Sequence, residues 1–134
     1  MKVKLETDTI RTIAVFEKVT KVHAKDCIIT DDCIYFLVNQ DKIGLAIGKN
    51  GSVAKEIRNA LGRNVKIFAH SEDPQDLIKN MIPNVKNIQM NNGSVIITIP
   101  ANEKVNIIGK NGRNIKVIKM IMDRHFGIKD LKIR

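Results

Sequence analysis

The chain has 134 residues, 43% of them hydrophobic, which suits one domain or two small ones with a buried core. Lys and Arg number 23 against 14 acids, a formal charge of +9 and a pI near 9.7, so polyanions are the favoured partners. No stretch approaches the roughly 20 apolar residues of a membrane span, which excludes a helical membrane anchor.

The N-terminal Met1-Lys2-Val3-Lys4-Leu5-Glu6 lacks the apolar centre of a secretory signal, and a cytoplasmic location is expected. From Thr7, taken as an N-cap, to Thr20 the spacing predicts a helix. Its apolar face is Ile10, Ile13 and Ala14, widened by Phe16 and Val19. Cys27–Thr30 and Cys33–Val38 are rich in β-formers, and Asp31-Asp32 between them reads as the turn of a hairpin. Lys42–Ile47 is a short helix ending at Gly48. Beyond Gly51, Val53, Ile57, Ala60 and Leu61 recur at helical spacing, and Gly62 is placed to end that helix. Val65–Phe68 reads as a strand.

Ser71-Glu72-Asp73-Pro74 interrupts the pattern and marks a boundary between domains at 1–70 and 71–134. Asp73 caps the next helix with Pro74 at its first position, and Leu77, Ile78 and Met81 are its apolar contacts. A second hairpin runs from Val85 to Met90, turns at Asn91-Asn92-Gly93 and returns over Ser94–Ile99. Ala101–Ile108 is a short helix. Ile115, Ile118, Met122 and Phe126 mark a longer one closed by Gly127, and Leu131–Ile133 is a final strand. The two halves therefore share one order: helix, strand, strand, helix, glycine loop, helix, strand.

That loop is the same tetrapeptide twice, Gly48-Lys49-Asn50-Gly51 and Gly109-Lys110-Asn111-Gly112, at an offset of 61 residues. Duplication is the strongest organisational signal in the sequence. Glycine at both ends permits a sharp turn with exposed backbone. The following helix aims unpaired N–H groups and its positive dipole end at the same spot. Lysine adds a cation and asparagine an amide, so each loop has the makings of a phosphate clamp.

Gly-Lys-Asn-Gly between two helices and after a β-hairpin resembles the GXXG signature of KH domains, which bind single-stranded nucleic acid. The element order resembles the type II arrangement, and two such modules filling Thr7–Arg134 resemble the archaeal NusA-like transcription factors. The resemblance implies an α+β fold of two tandem type II KH domains, each a three-stranded sheet with helices on one face. It implies single-stranded RNA as the ligand, with RNA polymerase or the transcription complex as a further partner. The alternative within binding proteins is a ribosome-associated or ribosome-assembly KH protein. Carried onto this sequence, the binding residues are Gly48, Lys49, Asn50, Gly51, Ser52 and Lys55 in the first copy. In the second they are Gly109, Lys110, Asn111, Gly112, Arg113 and Lys116. Ala54 departs from the pattern, which favours a bulkier aliphatic residue such as Ile115 of the second copy, and this implies a shallower apolar floor in the first module.

Competing chemistry finds little support. Gly44-Leu45-Ala46-Ile47-Gly48-Lys49 superficially matches a P-loop. It has three residues between the glycines where a P-loop has four, and Asn50 replaces the Ser/Thr that would hold magnesium. A nucleotide-dependent enzyme is therefore rejected. His23, His70 and His125 are scattered, Ser52 has no recognisable His and acid partners and reads as a helix cap, and no metal or cofactor is expected. Cys27 and Cys33 read as small apolar strand residues. Lys55, Arg58, Lys116 and Lys119 are each readable as solvated helix surface, whereas Arg113 abuts the second loop. Aromatic residues are 4% with no Trp, which disfavours a stacking platform of the RRM or OB type.

Overall fold

A computed structural model describes residues 2–109 and 112–134, with side chains from Asp8 onward. The chain divides into two compact units, Met1–Ser71 and Glu72–Arg134. Each holds one three-stranded sheet with helices, an α+β architecture. Among the described residues no helix is long and apolar enough to cross a membrane.

The first unit opens with α1 (Lys2–Thr20), followed by the hairpin β1 (Ala24–Ile29) and β2 (Cys33–Asn39). The helix starts before Thr7, so Thr7 lies inside it rather than capping it. The expected apolar face was also out of phase. Ile10 is 68% exposed and Ala14 is exposed, while Phe16 and Thr20 are buried. Each residue turns the helix by about 100°, which puts Ile10 some 120° away from Phe16. Ile13, Phe16 and Val19 face the sheet instead, and the Phe16 ring stacks on Phe36 with centroids 4.0 Å apart. Thr20 is buried without penalty because its hydroxyl donates to the Phe16 carbonyl (2.7 Å) and accepts from the Val22 N–H (3.0 Å).

A 3-10 turn over Gln40–Lys42 leads into α2 (Ile43–Ile47), then the glycine loop, α3 (Ser52–Leu61) and β3 (Asn64–His70). β2 is the central strand, antiparallel to β1 and parallel to β3. Phe16, Ala46 and Ile57, one from each helix, meet Cys27, Ile34, Phe36 and Val38 on one face of this sheet. Leu61 joins them in part, but Ala60 is exposed rather than facing the core. Gly62 ends α3 in the left-handed region at φ 65°, as its position predicts.

The second unit runs α4 (Pro74–Met81), β4 (Asn87–Asn91), β5 (Ser94–Thr98), a 3-10 turn over Ala101–Glu103, α5 (Lys104–Ile108), the second loop, α6 (Arg113–Phe126) and β6 (Asp130–Ile133). The Asp73 carboxylate accepts from the Gln75 N–H at 2.9 Å, the cap its sequence predicts. Asn91 pairs with Ser94, so the hairpin turn tightens to Asn92-Gly93 rather than taking three residues. The strands repeat the first unit's order, β5 being antiparallel to β4 and parallel to β6. Ile133 takes the place of Ile67, a larger offset than that of the loops, and it has two sources. α6 has 14 residues against 10 in α3, and Gly127, Ile128 and Lys129 lead into β6 where only Gly62 and Arg63 lead into β3.

The glycines that bound the two loops have nearly the same backbone angles. Gly48 adopts φ 77°, ψ 169° and Gly109 φ 79°, ψ 170°, a region open essentially to glycine alone. A Cβ on Gly48 would lie 2.5 Å from the Val53 Cγ2 and 2.8 Å from its backbone nitrogen. On Gly109 it would lie 2.9 Å from the Asn114 side chain and 3.0 Å from its backbone nitrogen. Gly51 and Gly112 are left-handed, at φ 74° and φ 71°, and a Cβ on Gly51 would meet nothing within 4 Å. The glycines thus differ in kind. The first closes a tight approach between helices, and the second needs only a left-handed residue.

Gly48→Ala should therefore cost about 2–4 kcal/mol, combining backbone strain of ~1–3 kcal/mol with displacement of α3. Gly51→Asn should cost less than about 1 kcal/mol, since Asn visits the left-handed region readily. Urea unfolding midpoints at unchanged m-value measure both, and equal shifts would contradict this division. A second test concerns the cysteines. Cys27 and Cys33 are free and buried, and they point to opposite faces of the first sheet. Burial pushes the Cys33 thiol above its ordinary range, with Lys66 opposing the shift, so it stays protonated and unreactive near pH 8. A thiol reagent should label both slowly in the native chain and fast in urea. Rapid native labelling of either would contradict the burial.

Candidate nucleic-acid interface

Each loop is held by the same two backbone hydrogen bonds. The Gly48 N–H donates to the Gly44 carbonyl (2.9 Å) and the Gly51 N–H to the Gly48 carbonyl (3.1 Å). Gly109 repeats the first with Val105 (2.9 Å) and Gly112 the second with Gly109 (3.1 Å). In the first loop Asn50 sits at φ 55°, one of two non-glycine residues with positive φ among those described. Asparagine is among the few side chains that tolerate this conformation, which accounts for its place in the loop. Lys49 and Asn50 are exposed, and so is Ser52. Lys110 and Asn111, expected to match them, lie outside the described residues.

Both following helices begin on a glycine N-cap, Gly51 or Gly112, and neither has a side-chain cap. Ser52 is the first helical residue of α3 rather than its cap. Neither N-cap offers a side-chain acceptor to the first-turn N–H groups of α3 and α6, where the positive end of the helix dipole lies, although the Ser52 N–H donates to the Lys49 carbonyl of the preceding 3-10 turn. Lys55 and Lys116 are exposed at the fourth position of their helices. Helical side chains tilt toward the N-terminus, so both lean back over the loop. Arg113 is half-buried at the first position of α6.

The units differ just inside the helix. Asn114 donates from its side-chain amide to the Asn106 carbonyl at 3.1 Å, tying α6 to α5 across the second loop. At the equivalent place the first unit has Val53, half-buried against its core. Exposed apolar side chains flank both loops, Leu45 (60%) and Ile47 beside the first and Val105 (81%) beside the second.

A groove of about 410 Å³ adjoins the second loop, between α6 and the edge strand β6. Ile108, Ile115, Leu131 and Ile133 give it an apolar lining, and Lys119, Lys132 and Arg134 also border it. Ile115 has the place expected of it from the sequence. Lys119 reads in the sequence only as solvated surface, and Lys132 and Arg134 carry no local signal, because the groove is assembled from three separated stretches of chain.

Residues 10–88 match the KH-domain family model, which spans most of the first unit and enters the second. Over 138 residues the chain is 30% identical to the probable transcription termination protein NusA of Methanocaldococcus jannaschii, covering 98% of this chain and 75% of that protein. The protein of the same description from Methanococcus vannielii is 30% identical, with 99% and 80% covered. That from Thermoplasma acidophilum is 24% identical, with 99% and 96% covered. The crystal structure of APE1850 superposes with a TM-score of 0.76 at 34% identity, covering 96% of this chain and 99% of that one. A shared domain model, relatives aligned over nearly all of this chain and a common fold agree: the chain belongs to the KH-domain family and, within it, to the archaeal NusA-like proteins.

Proposed function

We propose that the chain is a non-catalytic, single-stranded RNA-binding protein acting as a NusA-like factor in transcription elongation or termination, built from two type II KH modules. The observation that carries this reading is the pair of glycine loops with matching backbone angles, each opening onto a helix start without a side-chain cap. An RNA phosphate is the natural acceptor for those N–H groups, and the charge of +9 supplies long-range attraction. In the first module Gly48 to Gly51 hold the backbone, with Ser52 and Lys55 beside them. In the second Gly109 to Gly112 do so, with Arg113 and Lys116. Bases then lie against the apolar surface between the following helix and the last strand. The relatives named as transcription termination proteins support a place in the transcription complex, with RNA polymerase as the expected protein partner.

Replacing Lys49, Asn50, Lys110 and Asn111 together by Asp places negative charge where phosphate binds. Affinity for single-stranded RNA should fall by at least about tenfold, while circular dichroism stays that of the parent. In the parent, log affinity should fall with log salt at a slope near −0.7 per phosphate contacted. Lys110→Ala should make that slope shallower by roughly one contact. Undiminished binding by the fourfold variant would remove the clamp assignment.

The second test uses length. A KH loop accommodates about four nucleotides, and Ser71–Asp73 is the only link between β3 and α4. RNA long enough to engage both loops should gain affinity through effective concentration. Titrating the whole chain with strands of about four to sixteen nucleotides should show a step once both loops are occupied. The step should vanish when either loop alone carries the Asp substitutions. A smooth, length-independent affinity would mean that the loops do not share a strand.

A further inference from the structure

The two sheets have four edge strands, β1 and β3 in the first unit and β4 and β6 in the second. An edge offers unpaired N–H and C=O groups to another strand, and charge, bulges and short length are the usual protection. β1 carries Lys25, Asp26 and a register break between Ala24 and Asp26. β3 carries Lys66, and β6 is four residues long with Asp130 and Lys132. β4, Asn87-Ile88-Gln89-Met90-Asn91, has no charged side chain, no proline and an unbroken register. Backbone parity identifies the groups it leaves open. On β5 the Ile97 carbonyl accepts from the Arg134 N–H (2.8 Å) and the Ile99 N–H donates to the Arg134 carbonyl (3.0 Å), so both residues face β6. Ile96 and Thr98 therefore face β4, where their partners are Gln89 and Asn87. Ile88 and Met90 turn their N–H and C=O groups outward. Among the described residues no hydrogen bond reaches these four groups. Ile88 and Met90 are half-buried on the face of Ile97 and Val95, whereas Asn87, Gln89 and Asn91 are exposed.

This edge is complementary to itself. When two copies of β4 run antiparallel about a two-fold axis at Gln89, Ile88 of one opposes Met90 of the other, twice over. All four outward groups of each strand are then used. Ile88 meets Met90 on the core face, while Asn87 meets Asn91 and Gln89 meets Gln89 on the exposed face. Lys86 falls opposite Asn92, and the two Lys86 residues stand about 20 Å apart along the strands, beyond a Debye length. A parallel pairing would instead set Lys86 against Lys86. We propose that the outer edge of β4 is a homodimerisation surface, joining two copies of this chain by antiparallel β4–β4 pairing into a six-stranded sheet. An uncharged, amide-rich strand has nothing with which to select an acidic or a basic peptide, whereas its own sequence satisfies every open group. The groove beside β6 lies at the opposite edge of the sheet, and the inference does not rest on the RNA-binding reading. Five residues a side make an interface of the transient class, with a dissociation constant on the order of 0.1 mM. Each copy carries +9, so association should tighten as salt rises, the reverse of RNA binding.

The test is analytical sedimentation of the full chain, reduced and free of nucleic acid, from about 0.01 to 1 mM. A reversible monomer–dimer equilibrium is expected, tighter by several-fold in about 0.5 M salt than in about 0.05 M. Met90→Pro removes an outward N–H and leaves the ladder to β5 intact, so circular dichroism should stay that of the parent while the dimer is lost. Gln89→Lys and Gln89→Glu each set like charges opposite one another at the two-fold axis and should weaken the dimer about fivefold. An equimolar mixture of the two should restore it. Amide exchange at Ile88 and Met90 should slow as protein concentration rises. A chain that stays monomeric at about 1 mM in both salts overturns the proposal. So does a dimer that Met90→Pro leaves intact, or a pair of Gln89 variants that associate no better mixed than alone. Should Met90→Pro fail to fold, the Gln89 variants decide the matter by themselves.

Discussion

Gly48 and Gly109 sit where the incoming short helix passes so close to the outgoing one that a Cβ would overlap the next helix's backbone nitrogen. That approach fixes the angle between the helices of each pair, and through it the placement of the following helix over its sheet. Ile57, on the helix after the first loop, is fully buried among residues from α1, α2 and the sheet, so the packing of the first unit registers the loop's geometry. Moving the helix start by a few tenths of an ångström would move both the core and the exposed N–H groups. Core packing and the geometry of the helix start thus rest on one backbone turn.

The same turn is carried by two dissimilar scaffolds. The first unit begins with a 19-residue helix and a central strand buried along six consecutive residues, Cys33–Val38. The second begins with an eight-residue helix, and its central strand alternates buried with half-buried positions. The loop angles nevertheless agree within a few degrees. Local sequence, not the surrounding core, therefore sets the loop, and the cores have room to differ in how they support it. This division leaves the residues that follow each loop free to diverge, Ala54 in one unit against Ile115 in the other, while the glycine angles agree.

Features decided within a few residues were legible in the sequence. The Asp73-Pro74 helix start, the glycine ends at Gly62 and Gly127, both hairpins and the doubled tetrapeptide all carry their causes locally. The phase of α1 was not legible, because Ile10, Ile13, Ala14 and Phe16 are all apolar and only the partner surface decides which of them it covers. Phe36 supplies that decision by stacking on Phe16, and it lies 20 residues further along. The groove in the second unit was hidden for the same reason. Ile108, Lys119 and Ile133 belong to three elements, and nothing in the spacing of any one announces the other two.

The contrast between helix starts gives the loops their chemical meaning. α4 is closed by a carboxylate, with Asp73 accepting from the Gln75 N–H, a cap of the kind whose loss costs about 1 kcal/mol. The chain does not cap every helix so: α2 and α5 begin at Lys42 and Glu103 without a side-chain cap. At α3 and α6 it uses glycine instead and forgoes that stabilisation. A carboxylate there would satisfy the same N–H groups intramolecularly, and its charge would repel any anion approaching the lysine beside it. Glycine adds no charge to oppose the dipole, so an approaching anion would meet a donor site whose geometry is already set by folding. A helix start capped by glycine alone therefore keeps its positive dipole end open to an anion, which a carboxylate cap would not.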